Sequence, residues 1–134
     1  MITAEKYITA AREYLGVPWQ HQGRTEFGLD CVGLLIRSAE DCGVSVSDDN
    51  SYGREPTKGE LVSLIRRYCT LVPNGGYRAG DIVILGLRQT HVGILTDSFR
   101  PFGFIHIPTN KICCEVSFDP SICVLRGAYR PKGF

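Results

Sequence analysis

The hydrophobic pattern of this chain changes once along its length, near Gly80. Before Cys69 the apolar residues recur at three- and four-residue spacing, which is typical of amphipathic helices. After Gly80, turn residues separate five short β-rich runs: DIVIL, HVGILT, FGFIHIP, KICCEVSF and CVLRGAYR. This order predicts an α+β fold, with N-terminal helices packed on a curled antiparallel sheet of about five strands. Because the chain has 134 residues, we expect one domain over residues 1–134.

Three segments of the first half predict helices. The spacing of apolar residues indicates helices over Thr3 to Leu15, Asp30 to Cys42 and Thr57 to about Tyr68. The second begins with an aspartate suited to the N-cap, and in the third Thr57 and Glu60 have the spacing of a capping box. Glycines, a proline and the lack of any period predict a loop over Val17 to Leu29.

The charge distribution disfavours nucleic acid as a partner. The formal net charge is +1, and basic residues are scattered among acidic ones. The N-terminal segment lacks a basic region followed by an apolar run, and no stretch reaches the length of a membrane span. We therefore expect no signal peptide, synthesis in the cytoplasm, reduced cysteines and no membrane span.

Cys31 lies in the stretch GLDCVGLL, at the start of the second predicted helix. The alternatives are a small buried residue, half of a disulfide, a metal ligand or a nucleophile. A thiolate is stabilised by unpaired N–H groups and by the helix macrodipole at such a position. We therefore expect a lowered pKa for Cys31, below the ordinary value of about 8.5.

Two histidines lie in predicted strands, His91 in THVGIL and His106 in FGFIHIP. Each alone is compatible with a hydrogen-bonded core histidine. Together with a cysteine at a helix N-terminus they supply a thiol, a base and an orienting group. If the two strands are antiparallel neighbours joined by a turn near Phe99 to Phe102, the two rings can meet.

Three stretches, LGVPWQHQGRTEFGLDCVGLL, GDIVILGLRQTHVGIL and FIHI, resemble the NlpC/P60 cysteine peptidases, specifically the branch found among phage tail proteins. The resemblance covers nearly the whole chain. It implies a papain-like fold that hydrolyses bacterial cell-wall stem peptides, typically beside a γ-linked D-glutamyl residue. It also implies that Cys31 is the nucleophile, His91 the general base and His106 the group that orients the base. Phage tail proteins are then expected partners, and the protein would reach the wall with a virion or after lysis.

The sequence departs from the family pattern at two positions. Trp19 stands where relatives have a tyrosine on the oxyanion side, so the oxyanion is expected to rely on the Cys31 backbone N–H, helped by Trp19 or His21. Val32 stands where many relatives have a serine that holds the amino end of the substrate. Asp30 either pairs with a substrate ammonium group or caps its helix, and Trp19 and Phe27 either form an apolar wall of the cleft or anchor the loop.

No metal or cofactor is expected. Cys113, Cys114, Cys123 and His106 come nearest to a ligand set, but they lack paired Cys-x-x-Cys spacing. Cys42 would lie roughly 16 Å from Cys31 along the same helix, too far for a disulfide. The alternatives to hydrolysis are a catalytically silent tail-assembly or wall-binding module of the same fold, and an acyltransferase with the same thiol chemistry.

Overall fold

The computed structural model describes residues 2–73, 75–86 and 90–133. Three α-helices lie in the first half of the chain: α1 (Ala4–Arg12), α2 (Cys31–Asp41) and α3 (Lys58–Ile65). A short 3-10 helix spans Pro120–Ile122. Within the described residues, none of these helices combines the length and the apolar character that crossing a membrane requires.

The predicted caps are confirmed. The side chain of Asp30 accepts a hydrogen bond from the backbone N–H of Gly33 and caps α2. Thr57 and Glu60 form a reciprocal capping box at α3. Helices α1 and α3 end three residues earlier than predicted. The residues that follow form tighter turns, as in the 3.0 Å bond from the Tyr14 N–H to the Ala11 carbonyl.

The second half forms a six-stranded antiparallel sheet. Its strands are β3 (Cys69–Leu71), β4 (Ile82–Leu85), β5 (His91–Thr96), β6 (Phe102–His106), β7 (Cys114–Phe118) and β8 (Leu125–Pro131). They lie side by side in the order β3-β8-β4-β5-β6-β7. The α+β prediction is thereby confirmed, with the edge strand β3 as an addition. This three-residue strand carries no period and pairs with β8, about sixty positions later.

The predicted loop over Val17 to Leu29 contains a small hairpin. Strands β1 (Arg24–Thr25) and β2 (Gly28–Leu29) pair antiparallel immediately before α2. The Trp19 N–H also donates to the Lys111 carbonyl at 2.8 Å. These contacts tie the start of α2 to the segment that follows β6.

The main core lies between the helices and one face of the sheet. Its fully buried members include Leu34 on α2 and Ile94 on β5. A smaller cluster, with Leu95, Phe104 and Phe118, covers the opposite face. The helices thus pack on one side of the sheet, which brings the N-terminus of α2 near the beginning of β5 and the end of β6.

Gly93 allows Phe104 to lie across the middle of β5. A Cβ atom at Gly93 would come within 2.4 Å of the Phe104 ring and 2.6 Å of the Ile105 carbonyl oxygen. We expect Gly93→Ala to lower the free energy of unfolding by about 1–3 kcal/mol, because the buried ring has to move. Urea denaturation measures this loss. Gly53→Ala is the control, since a Cβ there meets no atom within 4 Å; an equal effect of both substitutions would contradict the overpacking argument.

Candidate active site

A cleft of about 400 Å³ joins the start of α2 to the end of the sheet. Cys31, His91 and His106 all line it. The other lining residues are Trp19, Asp30, Arg54, Glu55, Pro56, Thr90, Ile107, Pro108, Thr109 and Lys111. The fold therefore places the predicted thiol and both predicted imidazoles on one cavity, although they are 15 or more positions apart in the sequence.

Cys31 is the first residue of α2. Asp30, the N-cap residue, accepts a hydrogen bond from the backbone N–H of Gly33, the third residue of the helix. The N–H groups of Cys31 and Val32 belong to the first turn, where no carbonyl of the same helix can accept from them. These two N–H groups favour negative charge on the sulfur.

The expected lowering of the Cys31 pKa is wrong. Burial, followed by the neighbouring Asp30 carboxylate, raises the pKa of the Cys31 thiol to about 12, against the opposing effect of the two N–H groups and of Arg24. The helix terminus does favour the thiolate, but Cys31 is only 8% exposed, and the cost of desolvating the charged sulfur is larger. The resting thiol is therefore neutral, and a base must remove its proton before it can attack.

His91 and His106 lie on neighbouring strands. β5 and β6 pair antiparallel with Ile94 opposite Ile105, and extending that register places His106 opposite Gly93. His91 is then the diagonal neighbour of His106 on the same face, within reach of its ring. The two rings share a 2.5 Å hydrogen bond between His91 Nε2 and His106 Nδ1. Because this bond uses Nε2 of His91, its other ring nitrogen, Nδ1, is the one available to accept a proton.

Phe104 supports both imidazoles. Its ring centroid lies 6.2 Å from that of His91 and 4.8 Å from that of His106. Burial lowers the pKa of His91. Burial, followed by the charge of His91, lowers the pKa of His106 to about 4. Both rings are therefore neutral at pH 7, as a proton acceptor and its hydrogen-bonded neighbour have to be.

These lowered pKa values predict a loss of stability at mildly acidic pH. Each folded-state pKa lies below the unfolded value of about 6.5, so the unfolded chain binds protons first as the pH falls and stability decreases. We expect the urea midpoint to fall between about pH 7 and about pH 5, and to fall less in His106→Asn. Glu115, whose pKa is lowered to about 2 by its bond to Arg12, weakens stability mainly below its unfolded value of about 4.5, at the lower end of this range and beneath it. Equal midpoints at both pH values would contradict the prediction.

Trp19 lines the cleft, as the resemblance implies, but its ring face is occupied. The Arg54 guanidinium carbon lies 4.5 Å from the centroid of the Trp19 ring, within the range of a cation–π contact. Arg54 also donates to the Asn110 side chain at 3.4 Å. Trp19 and Arg54 therefore pack against each other in the wall of the cleft.

His21 and Phe27 do not line this cleft. The His21 ring stacks beside Trp19 with centroids 6.4 Å apart and contacts Tyr52 edge-on. Its Nδ1 is buried without a hydrogen-bond partner among the described residues. The Phe27 side chain is 79% exposed, so it does not form the apolar wall considered for it.

Asp30 borders the cleft, but its oxygens are already bonded. Oδ1 accepts from the Gly33 N–H at 2.8 Å and from Arg24 at 3.0 Å, and Oδ2 accepts from the Gln22 N–H at 2.8 Å and from the Tyr52 hydroxyl at 2.6 Å. Four bonds use the acceptor sites of a carboxylate. The geometry favours the capping alternative over a bond to a substrate ammonium group.

Several groups around the site were not among the predicted site residues. Arg54, Glu55, Thr109 and Lys111 line the cleft from loops, and no periodicity distinguishes them from other surface residues. Arg24 and Tyr52 lie outside the cleft lining, and both donate hydrogen bonds to the Asp30 carboxylate. Neither residue gives a sequence signal of its own, because each acts through a bond to Asp30 that forms only in the folded chain.

The other five cysteines lie outside the cleft lining. All six side chains are free thiols. Cys42 is the C-cap of α2, at the opposite end of that helix from Cys31. Cys69 is 3% exposed in the core. These positions provide matched controls for experiments on Cys31.

Neither a comparison with models of protein families nor one with curated protein sequences gives a match. Solved structures do match. An NlpC/P60 family protein from Bacillus cereus ATCC 10987 has 19% identity and a TM-score of 0.70, covering 97% of this chain and 40% of its own. This chain therefore spans less than half the length of that protein.

Two further structures match at nearly full length. The NlpC/p60 domain of the peptidoglycan hydrolase SagA has 18% identity and a TM-score of 0.66, covering 95% of this chain and 97% of its own. RipD from Mycobacterium tuberculosis, described as a non-catalytic NlpC/p60 domain protein adapted to peptidoglycan binding, has 15% identity and a TM-score of 0.64, covering 97% of this chain and 98% of its own. With its helices packed on an antiparallel sheet, this chain has the α+β fold of the NlpC/P60 proteins.

Proposed function

We propose that this protein is a cysteine endopeptidase of the NlpC/P60 family that hydrolyses peptide bonds in bacterial cell-wall stem peptides. The observation that carries the proposal is the shared cleft, in which a thiol at a helix N-terminus and a hydrogen-bonded pair of histidines come together. A packing cysteine needs neither a cleft nor two coupled imidazoles. The cell-wall substrate is supported by the fold shared with the peptidoglycan hydrolase SagA.

In the first half of the proposed reaction, Cys31 attacks the scissile carbonyl carbon. His91 Nδ1 takes the thiol proton as the sulfur forms its bond to carbon, which creates an imidazolium and an oxyanion. The N–H of Cys31 donates to the oxyanion. The C–N bond then breaks, the leaving amine receives the proton from His91, and a thioester remains on Cys31.

In the second half, water hydrolyses the thioester. His91 removes a proton from the water, whose oxygen attacks the same carbonyl carbon. The C–S bond breaks, the sulfur receives the proton, and the acyl part leaves as a carboxylic acid. In both halves His106 holds His91 Nε2, so that Nδ1 is free to accept a proton. Neither a metal nor a cofactor takes part.

The finer assignments rest on the sequence resemblance. They are cleavage beside a γ-linked D-glutamyl residue, membership of the phage tail-associated branch and delivery with a virion. Trp19 and Val32 differ from many relatives and both lie next to the site, Val32 being buried behind Cys31. We therefore propose a substrate preference that differs from that of wall-recycling relatives.

A silent wall-binding module is the second candidate. RipD has this fold and is described as non-catalytic. In the present chain the observation that favours such a role is the buried, neutral Cys31 thiol. A binding module retains stem peptides without cleaving them.

One experiment separates the two candidates. The purified chain is incubated with peptidoglycan fragments, and the products are identified by mass spectrometry. We expect new fragments that end at a stem-peptide bond, and none with Cys31→Ala. Retention of intact fragments on the immobilised protein, with no product after prolonged incubation, would favour the binding module.

A further inference from the structure

A buried carboxylate lies directly behind the Cys31 thiol. Asp30 precedes Cys31 in the chain and is 3% exposed. Its four hydrogen bonds hold it in one place, two from backbone N–H groups and two from the Arg24 and Tyr52 side chains. This fixed negative charge beside Cys31 raises the pKa of its thiol, because it opposes the formation of a second negative charge on the sulfur.

Arg24 is the one ion-pair partner of Asp30 within the described part of the chain. Its Nη1 lies 3.0 Å from Asp30 Oδ1, and its Nη2 donates at 2.7 Å to the Tyr52 hydroxyl, which in turn donates to Asp30. The far side of the guanidinium binds Asp48, with Nε 2.9 Å from Oδ2. Hydrogen bonds on both sides therefore fix the position of Arg24, although it lies in a two-residue strand.

The other charged or titratable groups near the thiol have a weaker electrostatic effect on its ionisation. They are His91 and His106 on the sheet and Arg54, Glu55 and Lys111 at the rim of the cleft. Both histidines are neutral at pH 7 because burial lowers their pKa values. The three rim residues are exposed, so water and salt screen their charges. Asp30 and Arg24 remain as the buried or half-buried charges that act on the Cys31 thiol.

We propose that Arg24 is a positioning residue that neutralises Asp30 and thereby sets how readily the Cys31 thiol loses its proton. Asp30 has to be charged to hold its four donors, and it caps the helix that presents the cysteine. Arg24 offsets part of the electrostatic cost that this cap imposes on the sulfur. The inference deepens the proposed function, on which it rests, because the thiol is the proposed nucleophile.

The test is the rate of Cys31 alkylation by iodoacetamide between about pH 7 and about pH 10, followed by mass spectrometry of the labelled peptide. We expect Arg24→Met to slow labelling about tenfold at each pH, because an opposite charge next to an ionising group shifts its pKa by about one unit or more. Arg24→Lys and Asp48→Asn keep a cation beside Asp30, so they should stay within about threefold of wild type. Labelling of Cys69, which is buried in the core, reports unfolding in every variant.

A double-mutant cycle distinguishes neutralisation from a merely structural role. Asp30→Asn alone should speed labelling by about tenfold, and in that background Arg24→Met should change the rate much less than in the wild type. An unchanged rate in folded Arg24→Met, or the same slowing with and without Asp30, would overturn the proposal. If Arg24→Met exposes Cys69, Asp30→Asn decides instead, and an unaltered rate in that variant refutes the inference.

Alkylation needs no peptide substrate, so the outcome is independent of the proposed hydrolysis. If the labelling rates of the variants change as the double-mutant cycle predicts but the protein cleaves no stem peptide, the role of Arg24 is supported and the peptidase is refuted. Cleavage by the wild type, together with a labelling rate that does not change in Arg24→Met, would support the peptidase and refute the role of Arg24.

Discussion

Replacement of Cys31 by alanine is expected to lower the rate of stem-peptide hydrolysis by roughly three orders of magnitude or more, because among the described residues of the cleft lining Cys31 alone carries a thiol that can form the thioester. The fold should survive, since Cys31 borders the cleft and loss of its sulfur enlarges an existing cavity. Product release from peptidoglycan fragments measures the rate, and circular dichroism with urea denaturation measures folding.

Cys42→Ala is the matched control. Cys42 ends the same helix and lies outside the cleft. Its removal should leave the rate within about twofold of wild type. A Cys31→Ala variant that cleaves as fast as the wild type would exclude Cys31 as the nucleophile, whatever the effect of Cys42→Ala.

Replacement of His91 by alanine has the second largest expected effect. The Cys31 thiol is neutral at rest because burial raises its pKa, so the reaction depends on a base that removes its proton. Loss of such a base typically costs about 10²–10⁴ in rate. The loss should shrink as the pH rises, since hydroxide then generates the thiolate without His91. Rates measured from about pH 7 to about pH 10 test this.

Substitutions of His106 should lower the rate by different amounts, according to whether the new side chain can still bond to His91. Its Nδ1 bonds to His91 Nε2, so it orients the base and does not remove the proton itself. We expect His106→Asn to keep measurable activity, because an amide oxygen can accept the same bond, and His106→Ala to lose substantially more. Rates are normalised to folded protein. Equal, wild-type-like rates in both variants would show that His106 is only a core histidine.

Local sequence predicted the beginning of each long helix well. Asp30 and Thr57 act on N–H groups only three positions away, so their side-chain chemistry and spacing contain the whole interaction. The strands β5 and β6 were recognisable for a similar reason, because their β-rich runs are bounded by turn residues. The edge strand β3 was not, since its three residues become a strand only by pairing with β8, about sixty positions later.

The candidate site shows the same division. The order of Cys31, His91 and His106 and the motifs around them identified the candidates, and the antiparallel strands predicted that the two rings can meet. The pKa of Cys31 is raised, although the sequence predicted that it is lowered. It depends on burial, which the residues packed around the thiol determine. Arg24 and Tyr52 gave no signal of their own, since each acts through a bond to Asp30 formed by the folded loops.

The sequence by itself determined the α+β class, the helix starts and the three candidate side chains for a thiol mechanism, because periodicity, caps and short motifs are local properties of the chain. Only the tertiary structure decided that the thiol is neutral at rest and that Asp30 bonds to Arg24 and Tyr52 while it caps α2. It also decided that Trp19 packs beneath Arg54 at the cleft. Desolvation and charge pairing depend on which distant segments come together, and that information appears only when the chain is folded.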